Sequence, residues 1–319
     1  MKIAVLDRAT LGEDLDLSAL AEFGTLSVYQ TTSADEMPSR VADADILVVN
    51  KIKCKPETLA EAKALRLICV FATGYDNVDL AYCRSRGIAV CNVVGYSTDS
   101  VAQVTLSMAL SLTTHLPQYD SYTKSGTYAR GAFANCLTPV YHELAGKSWG
   151  IVGYGNIGKR VAAVADALGC RVLISKRTRT KEAYPQLSID EICREADILS
   201  IHTPLTEETR HLIDRTRLGM MKKSAILINV ARGAVTDEAA VADAVLEGNL
   251  GGFGCDVYSL EPFEKTHPFT RLYGCKNVIL TPHMAWGAYE ARVRCLHEIC
   301  LNISSFLRGE YRSRVDLLK

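Results

Sequence analysis

Residues 149 to 158 read W-G-I-V-G-Y-G-N-I-G, and this stretch decides the fold. Residues 149 to 152 predict a short buried strand, and a glycine-rich turn follows it at once. The next residues predict an amphipathic helix, because apolar side chains recur at helical spacing at Ile157, Val161, Val164 and Leu168. The stretch therefore predicts a strand, a glycine turn and a helix in direct succession.

The G-x-G-x-x-G spacing of Gly153, Gly155 and Gly158 indicates a dinucleotide site in this context. The first glycine permits the tight turn, the second lets the backbone approach a pyrophosphate, and the third lets helix and strand pack closely. The helix start at Asn156 and Ile157 offers N–H groups and a positive dipole end to the phosphates. A glycine turn without a ligand is the alternative, and the α/β elements around the turn favour dinucleotide binding.

The other apolar runs form two sets, each of which predicts a parallel sheet covered by helices on both faces. They lie at residues 2–6, 45–49, 65–71 and 88–93, and at 171–174, 198–201, 225–230, 252–257 and 278–280. A long helical stretch begins near Ser97, and the chain is helical again after Gly287. We therefore expect two α/β domains, one over residues 97–286 with the dinucleotide site and a discontinuous one over residues 1–96 and 287–319.

Composition excludes several classes of protein. The chain has 319 residues, 48% of them hydrophobic, and its 36 basic residues balance its 36 acidic ones. A nucleic-acid or membrane-surface protein would usually carry a basic excess. No apolar run approaches the length that spans a bilayer. We therefore expect neither nucleic-acid nor membrane partners.

Cysteine usage indicates a reducing compartment. The eleven cysteines are an odd number, and no pair has C-x-x-C spacing. Several lie in apolar runs, such as I-A-V-C at 88–91, where they act as small buried hydrophobes. The chain opens on M-K-I-A-V-L-D, which predicts a strand rather than a signal peptide. We expect a cytoplasmic protein, and no spacing predicts a metal site.

Three polar residues follow apolar strands at the sheet edge where open α/β sheets bind ligands. They are Arg232, Glu261 and His283. Together they suit hydride chemistry on a ketone, because a histidine can donate a proton to the carbonyl oxygen near neutral pH. A carboxylate behind the imidazole fixes its tautomer and favours the charged form. An arginine can hold a substrate carboxylate.

With these residues in place, the chain resembles the D-isomer-specific 2-hydroxyacid dehydrogenases over essentially its full length. The matching segments, in order, are A-T-G-Y-D-N-V-D (72–79), G-Y-S-T-D-S-V-A-Q (95–103), G-K-S-W-G-I-V-G-Y-G-N-I-G (146–158), H-T-P-L-T (202–206), N-V-A-R-G (229–233), D-V-Y-S-L-E-P (256–262) and T-P-H-M-A-W (281–286). The resemblance implies a Rossmann cofactor domain and a flavodoxin-like substrate domain. It also implies that a nicotinamide cofactor exchanges a hydride with a short 2-keto acid or its D-2-hydroxy acid.

The resemblance also implies site residues. The family's catalytic arginine, glutamate and histidine correspond to Arg232, Glu261 and His283, and its carboxylate-binding turn to Thr73 and Gly74. Cofactor contacts are implied at Val101, Gly153, Gly155, Asn156, Ile157, Gly158, Ser175, Lys176, Arg177, His202, Thr203, Pro204, Val230, Ala231, Arg232, Asp256 and His283.

Two segments resemble the hydroxypyruvate reductase, or glycerate dehydrogenase, branch of the family: N-K at 50–51 and T-P-H-M-A-W at 281–286. On this interpretation Lys51 faces the substrate and Trp286 lines its pocket. A loop charge at Lys51 and simple packing of Trp286 are the alternatives. The branch predicts reduction of hydroxypyruvate or glyoxylate.

The end of the second strand of the cofactor domain raises the question of which cofactor is used. An NAD site usually places an acid here, to bind the ribose 2′-hydroxyl. This chain instead reads L-I-S-K-R-T-R at 173–179, with Ser175, Lys176, Arg177 and Arg179. Such donors suit a 2′-phosphate, so we expect NADP(H) to be preferred. Binding of NAD without the acid is the alternative, because some similar hydroxypyruvate reductases also lack it.

The stretch from His115 to Leu144 is long for a connection and rich in aromatic residues, namely Tyr119, Tyr122, Tyr128, Phe133 and Tyr141. It resembles the dimerisation arm of the family, and we expect a homodimer. A rival to catalysis is a dinucleotide-sensing protein on the same fold, such as the family's transcriptional corepressors. Fold alone does not separate the two.

Overall fold

A computed structural model describes residues 1–178 and 180–317. Arg179 of the predicted basic cluster, and Leu318 and Lys319 at the end of the predicted substrate domain, lie outside the described residues. The chain divides into two compact units. One comprises Met1–Ser97 and the segment from Gly287 onward, and the other comprises Thr98–Trp286.

The regular elements alternate along the chain. The strands are β1 (Lys2–Val5), β2 (Thr25–Val28), β3 (Ile46–Val49), β4 (Leu67–Val70), β5 (Ala89–Cys91), β6 (Ser148–Val152), β7 (Arg171–Ser175), β8 (Ile198–Ile201), β9 (Ile226–Asn229), β10 (Gly252–Cys255) and β11 (Val278–Leu280). The α-helices are α1 (Met37–Val41), α2 (Leu80–Ser85), α3 (Thr98–Thr114), α4 (Leu116–Lys124), α5 (Asn156–Ala167), α6 (Ile189–Glu195), α7 (Arg215–Met220), α8 (Glu238–Leu246) and α9 (Tyr289–Leu307).

The first unit is built on a five-stranded parallel sheet in the order β2-β1-β3-β4-β5. This is the flavodoxin-like order. Every residue of β3 and β4 is buried, because parallel strands are covered on both faces. The helix that the sequence predicts after Gly287 is α9, which packs against β4.

The second unit carries six parallel strands in the order β11-β10-β9-β8-β6-β7. Beyond β7, a single parallel bridge joins Ile174 to Gln186 in the place of a further short strand. The strand order reverses at β6 and β8, and ligands of doubly wound sheets bind outside the carboxyl ends at that point. The two parallel α/β sheets confirm the predicted fold class.

The connection between α3 and β6, which contains the predicted dimerisation arm, is partly helical. His115 has a left-handed backbone conformation with φ of 52°, and it ends α3. Pro117 then lies in the first turn of α4, where a proline is well tolerated because no intrahelical N–H bond is needed there. From 131 to 147 the chain has no helix or strand.

Within the described residues, no helix is both long enough and apolar enough to cross a membrane. All eleven cysteines are free thiols, and eight of them are buried. Burial raises the pKa of the Cys91 thiol to about 12, so that it stays protonated near neutral pH.

Candidate active site

The glycine turn after β6 is closely packed at two of its three glycines. Gly153 has φ of +92°, and a Cβ there would lie 2.6 Å from the Thr203 nitrogen. A Cβ on Gly158 would lie 2.2 Å from the Gly153 carbonyl oxygen, because α5 passes directly over the turn. The turn is also fixed to its neighbours in the sheet, since the Gly153 N–H donates to the Ser175 carbonyl at 2.8 Å.

The middle glycine has open space in front of it. A Cβ on Gly155 would meet no atom within 4 Å. Gly155 is the N-cap of α5, and no side chain caps the helix from that position. The N–H groups of the first turn therefore remain for an anion, which fits the pyrophosphate of a dinucleotide. Asn156 is exposed beside this space, and Ile157 packs against the core.

The H-T-P segment follows β8 at the same sheet edge. The His202 N–H donates to the Val152 carbonyl at 2.7 Å, which places the segment beside the glycine turn. The His202 ring is buried, with Nε2 3.0 Å from Ser200 Oγ, which also accepts from Trp149 Nε1 at 3.0 Å. Burial lowers the pKa of His202 to about 3. The low pKa favours the neutral ring near neutral pH, and the backbone of His202 rather than its ring bonds beside the turn.

Arg232 lies at the turn after β9. The fully buried Asn229 holds this turn: its Oδ1 accepts from the Ala231 N–H at 3.1 Å and its Nδ2 donates to the Arg232 carbonyl at 2.9 Å. Arg232 Nη1 donates to the Ala231 carbonyl at 2.8 Å. Val230, just before, is buried in the core. The guanidinium is half-buried at the carboxyl edge of the sheet.

Glu261 lies on the loop after β10, and a second carboxylate supports that loop. Glu238 at the start of α8 accepts from the Ser259 N–H at 2.8 Å through Oε1. Its Oε2 lies 3.0 Å from Nε2 of His267. The His267 ring stacks on Phe263, with centroids 4.6 Å apart. Glu261 itself accepts from the Tyr258 N–H at 2.9 Å.

His283 and Glu261 form the central contact of the site. Nδ1 of His283 lies 2.5 Å from Oε2 of Glu261. The two side chains keep 23% and 27% of their surface exposed, so the pair is open to a small molecule. Because Nδ1 faces the carboxylate, Nε2 is the ring nitrogen that can exchange a proton with a substrate.

Asp256 holds His283 in an unusual backbone conformation. His283 has φ of 53°, in the left-handed region. The Asp256 carboxylate is 1% exposed and accepts from Thr281 Oγ1 at 2.5 Å and from the Met284 and Ala285 N–H groups, both at 2.9 Å. Burial raises the Asp256 pKa, against these hydrogen bonds. Asp256, which the resemblance assigns to the cofactor, thus anchors the histidine turn on both sides.

Tyr258 joins the three loops that carry Arg232, Glu261 and His283. Its N–H contacts Glu261, and its hydroxyl donates to the Thr281 carbonyl at 2.8 Å, two residues before His283. On the other side, a Cβ on Gly233 would lie 2.1 Å from the Tyr258 carbonyl carbon. The glycine after Arg232 is therefore required for that loop to approach the next one. Arg232, Glu261 and His283 are carried by loops in mutual contact.

The end of β7 differs from the expected open basic cluster. Lys176 Nζ lies 2.6 Å from Glu182 Oε1 and 2.8 Å from Thr180 Oγ1. Lys176 and Thr180 hold the pKa of Glu182 below its usual value, so that the acid is ionised. Arg177 is largely exposed, and its Nη1 lies 4.0 Å from Glu208.

The predicted substrate residues of the first unit lie on two neighbouring loops. Lys51 is exposed after β3, in a loop whose N–H groups at residues 50–52 donate to the buried Asp7 carboxylate. Thr73 and Gly74 follow β4, and Thr73 Oγ1 donates to the Val93 carbonyl at 2.8 Å. Asn77 Nδ2 donates to the Ile52 carbonyl at 2.7 Å and joins the two loops.

Two of the remaining predicted residues pack in the core of the second unit, and two lie nearer the surface. Val101 is buried in α3, and Trp286 packs against the same apolar cluster. Thr203 is half-buried and Pro204 exposed after β8. Within the described residues, no group of three or more histidine, cysteine or acidic side chains is placed to hold a metal ion.

Sequence reasoning missed the supporting residues Asp7, Asn229, Glu238, His267 and Glu182. Asp7 follows a buried strand and Asn229 ends one. A polar residue in such a position can be recognised in the sequence as a candidate site residue. The Glu238–His267 and Lys176–Glu182 pairs gave no sequence signal, because each joins residues whose approach depends on the path of a loop.

We expect Glu261→Gln to lower kcat for ketone reduction by about 10- to 100-fold, part of the ~10²–10⁴-fold that a general acid contributes. A neutral amide cannot stabilise the positive charge that the imidazole carries before it donates its proton. The measurement is kcat at saturating cofactor and keto acid, with Glu264→Gln, an exposed acid on the same loop, as the control. A wild-type kcat in Glu261→Gln would contradict the assignment.

Comparisons with known proteins identify the family of this chain. A sequence model described as the NAD binding domain of D-isomer specific 2-hydroxyacid dehydrogenase matches residues 106–285, more than half of the chain. The chain is 36% identical over 293 residues to a glyoxylate reductase of Aeropyrum pernix, covering 88% of this chain and 85% of that one. It is 33% identical over 317 residues to a hydroxypyruvate reductase of Blautia hydrogenotrophica, covering 97% and 98%.

Among solved structures, the chain is similar to an NADPH-dependent glyoxylate/hydroxypyruvate reductase from Sinorhizobium meliloti in complex with NADP and malonate. The TM-score is 0.85 at 26% identity, covering 98% of this chain and 96% of that one. Since these relatives are named as reductases, the alternative of a dinucleotide-sensing binding protein is not favoured. The chain belongs to the D-isomer-specific 2-hydroxyacid dehydrogenase family and is an NAD(P)-dependent oxidoreductase that transfers a hydride to a 2-keto acid.

Proposed function

We propose that the protein reduces a short 2-keto acid, either glyoxylate to glycolate or hydroxypyruvate to the D-2-hydroxy acid glycerate, with NADPH as the preferred reductant. The single observation that carries the proposal is the 2.5 Å contact between His283 Nδ1 and Glu261 Oε2 in an accessible position. Relatives named glyoxylate reductase and hydroxypyruvate reductase support the substrate class.

The reaction needs a hydride from the cofactor and two of the chain's own residues, one to donate a proton and one to bind and polarise the substrate. The nicotinamide, when bound, supplies the hydride. His283 donates the proton from Nε2 to the carbonyl oxygen, because Nδ1 is engaged with Glu261. Arg232 binds the substrate carboxylate through its planar fork and polarises the adjacent carbonyl.

Specificity for a short acid is proposed to come from the first unit. Thr73 and Gly74 offer backbone N–H groups to the substrate carboxylate, and Lys51 binds the polar end of hydroxypyruvate. The hydrogen bonds of Asp7 and Asn77 support this, since they order both loops in advance. Trp286 is proposed to exclude longer side chains.

The proposed cofactor-binding residues all belong to the second unit. The glycine turn and the start of α5 hold the pyrophosphate, and Thr203, Pro204 and Val230 lie along the dinucleotide. Lys176, Arg177 and Ser175 are proposed to bind the 2′-phosphate. The absence of an acid directly at the end of β7 supports NADP(H) over NAD(H).

A panel of keto acids with both cofactors tests the proposal. We expect absorbance loss at the nicotinamide band with glyoxylate or hydroxypyruvate, and a higher kcat/KM for NADPH than for NADH. Pyruvate and 2-oxobutyrate serve as comparison substrates that lack the 3-hydroxyl of hydroxypyruvate. Tight cofactor binding without turnover of any keto acid would support a sensor instead, and a higher kcat/KM for NADH would contradict the cofactor preference.

We further propose a homodimer formed through the arm at 115–144. Phe133, Leu137 and Val140 are 81%, 69% and 70% exposed there, which is unusual for apolar side chains that meet only water. A groove of about 570 Å³ along α3 and α5, lined by Leu106, Leu110 and Leu116 among others, offers a second copy a surface to cover. The arm belongs to the same unit.

We expect light scattering at micromolar concentration to give twice the mass of one chain. Replacing Phe133 and Leu137 by serine should produce the monomer, because the loss of two buried apolar side chains costs the interface about 3 kcal/mol or more. Tyr311→Ser, at a 78% exposed site of the first unit, is the matched control and should remain dimeric. A monomer mass for the unmodified protein would reject the interface.

The cytoplasm is proposed as the compartment, since all eleven cysteines are free thiols.

A further inference from the structure

The loop that follows β7 brings an acid back to the basic residue at the strand's end. The Ile174 N–H donates to the Pro185 carbonyl at 2.9 Å, and the Leu187 N–H donates to the Ile174 carbonyl at 2.9 Å. These two bonds close the loop at its base beside β7. Gln186 Nε2 also donates to the Thr180 carbonyl. Glu182 is thereby held next to Lys176, six residues earlier in the chain.

The Lys176–Glu182 ion pair is less exposed to water than a typical surface pair. Lys176 and Glu182 are only 20% and 18% exposed, and Thr180 Oγ1 donates to the same carboxylate oxygen at 2.8 Å. Two of the three donors of the Lys176 ammonium are therefore engaged, one by Glu182 and one by Thr180. Lys159 is a further positive charge near enough to lower the pKa of Glu182. Arg177, by contrast, is 85% exposed and makes only a loose contact with Glu208.

The Lys176–Glu182 pair lies where it affects the binding of a 2′-phosphorylated cofactor. The backbone bond between Gly153 and Ser175 fixes the end of β7 to the phosphate-binding turn, and Lys176 is the next residue. A phosphate on the adenosine 2′-oxygen would need the Lys176 ammonium, which Glu182 already neutralises. The ionised carboxylate would also repel the phosphate, since like charges at close range disfavour binding.

We propose that Glu182 is a specificity-determining residue for the cofactor, which lowers the affinity for a 2′-phosphate by occupying Lys176. This rests on the proposed function only in placing the 2′-position of the cofactor beside Lys176. Glu182 leaves the affinity for an unphosphorylated ribose unchanged. The protein accordingly accepts both cofactors with a smaller preference for NADP(H) than its basic residues alone would produce.

The test is binding of 2′,5′-ADP and of 5′-ADP by calorimetry, with no keto acid present. Glu182→Gln keeps the shape of the side chain and removes its charge. We expect it to tighten 2′,5′-ADP at least about fivefold, as for a charge-assisted hydrogen bond gained, and to leave 5′-ADP within about twofold. Glu195→Gln, which breaks the exposed pair with Arg171 in the same unit, is the matched control and should change neither.

A double-mutant cycle separates release of Lys176 from a general change in charge. Lys176→Gln should weaken 2′,5′-ADP, and Glu182→Gln should tighten 2′,5′-ADP less in that background than in the wild type, because only the repulsion between the carboxylate and the phosphate is then relieved. Unchanged or weaker 2′,5′-ADP binding in Glu182→Gln, at an unfolding temperature like that of the control, overturns the inference. Weaker 5′-ADP binding overturns it too, because Glu182 would then read the ribose hydroxyl itself.

The same variants in steady-state assays distinguish this inference from the proposed function. If no keto acid is turned over while the 2′,5′-ADP shift is present, the proposed function fails and the role of Glu182 stands. If turnover proceeds with NADPH but the shift is missing, the role of Glu182 fails alone.

Discussion

Replacement of His283 by alanine should lower kcat for keto acid reduction by about 10²- to 10⁴-fold, which is the usual contribution of a positioned general acid. The imidazole is the group whose Nδ1 contacts Glu261 and whose other nitrogen is left to serve the substrate oxygen. Cofactor affinity should change little, because the glycine turn and the uncapped start of α5 are proposed to hold the pyrophosphate through backbone groups.

Backbone strain has to be separated from chemistry in this experiment. His283 lies at φ of 53°, where alanine is strained and asparagine is tolerated. His283→Asn is therefore the second variant, and it should lose as much kcat as His283→Ala. His297→Ala, at an exposed site on α9, is the control. A near-normal kcat in both variants, measured with saturating cofactor, would show that the proton comes from another group.

Arg232→Ala should lower kcat/KM for the keto acid by about 10²- to 10³-fold, the cost of removing one preorganised electrostatic stabiliser. Both kcat and KM should suffer, because the guanidinium is proposed to hold the carboxylate and to polarise the carbonyl. Arg232→Lys keeps the charge but loses the planar fork, so it should recover only part of the loss.

The backbone of the Arg232 turn should survive both substitutions, since Asn229 holds it through main-chain groups. Cofactor binding is therefore the internal check and should stay within about twofold of the wild type. Arg194→Ala, at an exposed site on α6, controls for the loss of a positive charge. A KM for the keto acid unchanged in Arg232→Ala would remove the arginine from the substrate site.

The fold could be predicted largely because parallel strands are buried on both faces. Each of the six strands of the second unit overlaps a predicted apolar run, with β6 and β7 one residue longer than predicted, and β1, β3, β4 and β5 lie within theirs. The strand that sequence reasoning missed is β2, an edge strand with three exposed residues of four. Its sequence T-L-S-V lacks the continuous apolar run of a covered strand, so no pattern distinguishes it from a loop.

The catalytic contacts were predictable to a smaller extent. Strand ends mark where polar residues meet, and Glu261 and His283 are in contact although 22 residues separate them. What holds them there was not predictable, because the hydrogen bonds of Asp256 and Tyr258 depend on the detailed path of three loops. Glu182 illustrates the same limit: the basic run at 176–177 is visible in the sequence, whereas its neutralisation depends on a loop closure.

The contact of Gly233 with Tyr258, and of Tyr258 with Thr281, has a consequence for how this enzyme can diverge. A substitution in any one of these loops displaces the other two, so its effects are epistatic and new activities there require several simultaneous changes. The Lys51 and Thr73 loops belong to the other unit and have their own supports. On the proposed function, single substitutions in those loops can change the substrate while the three loops that carry Arg232, Glu261 and His283 are inherited together.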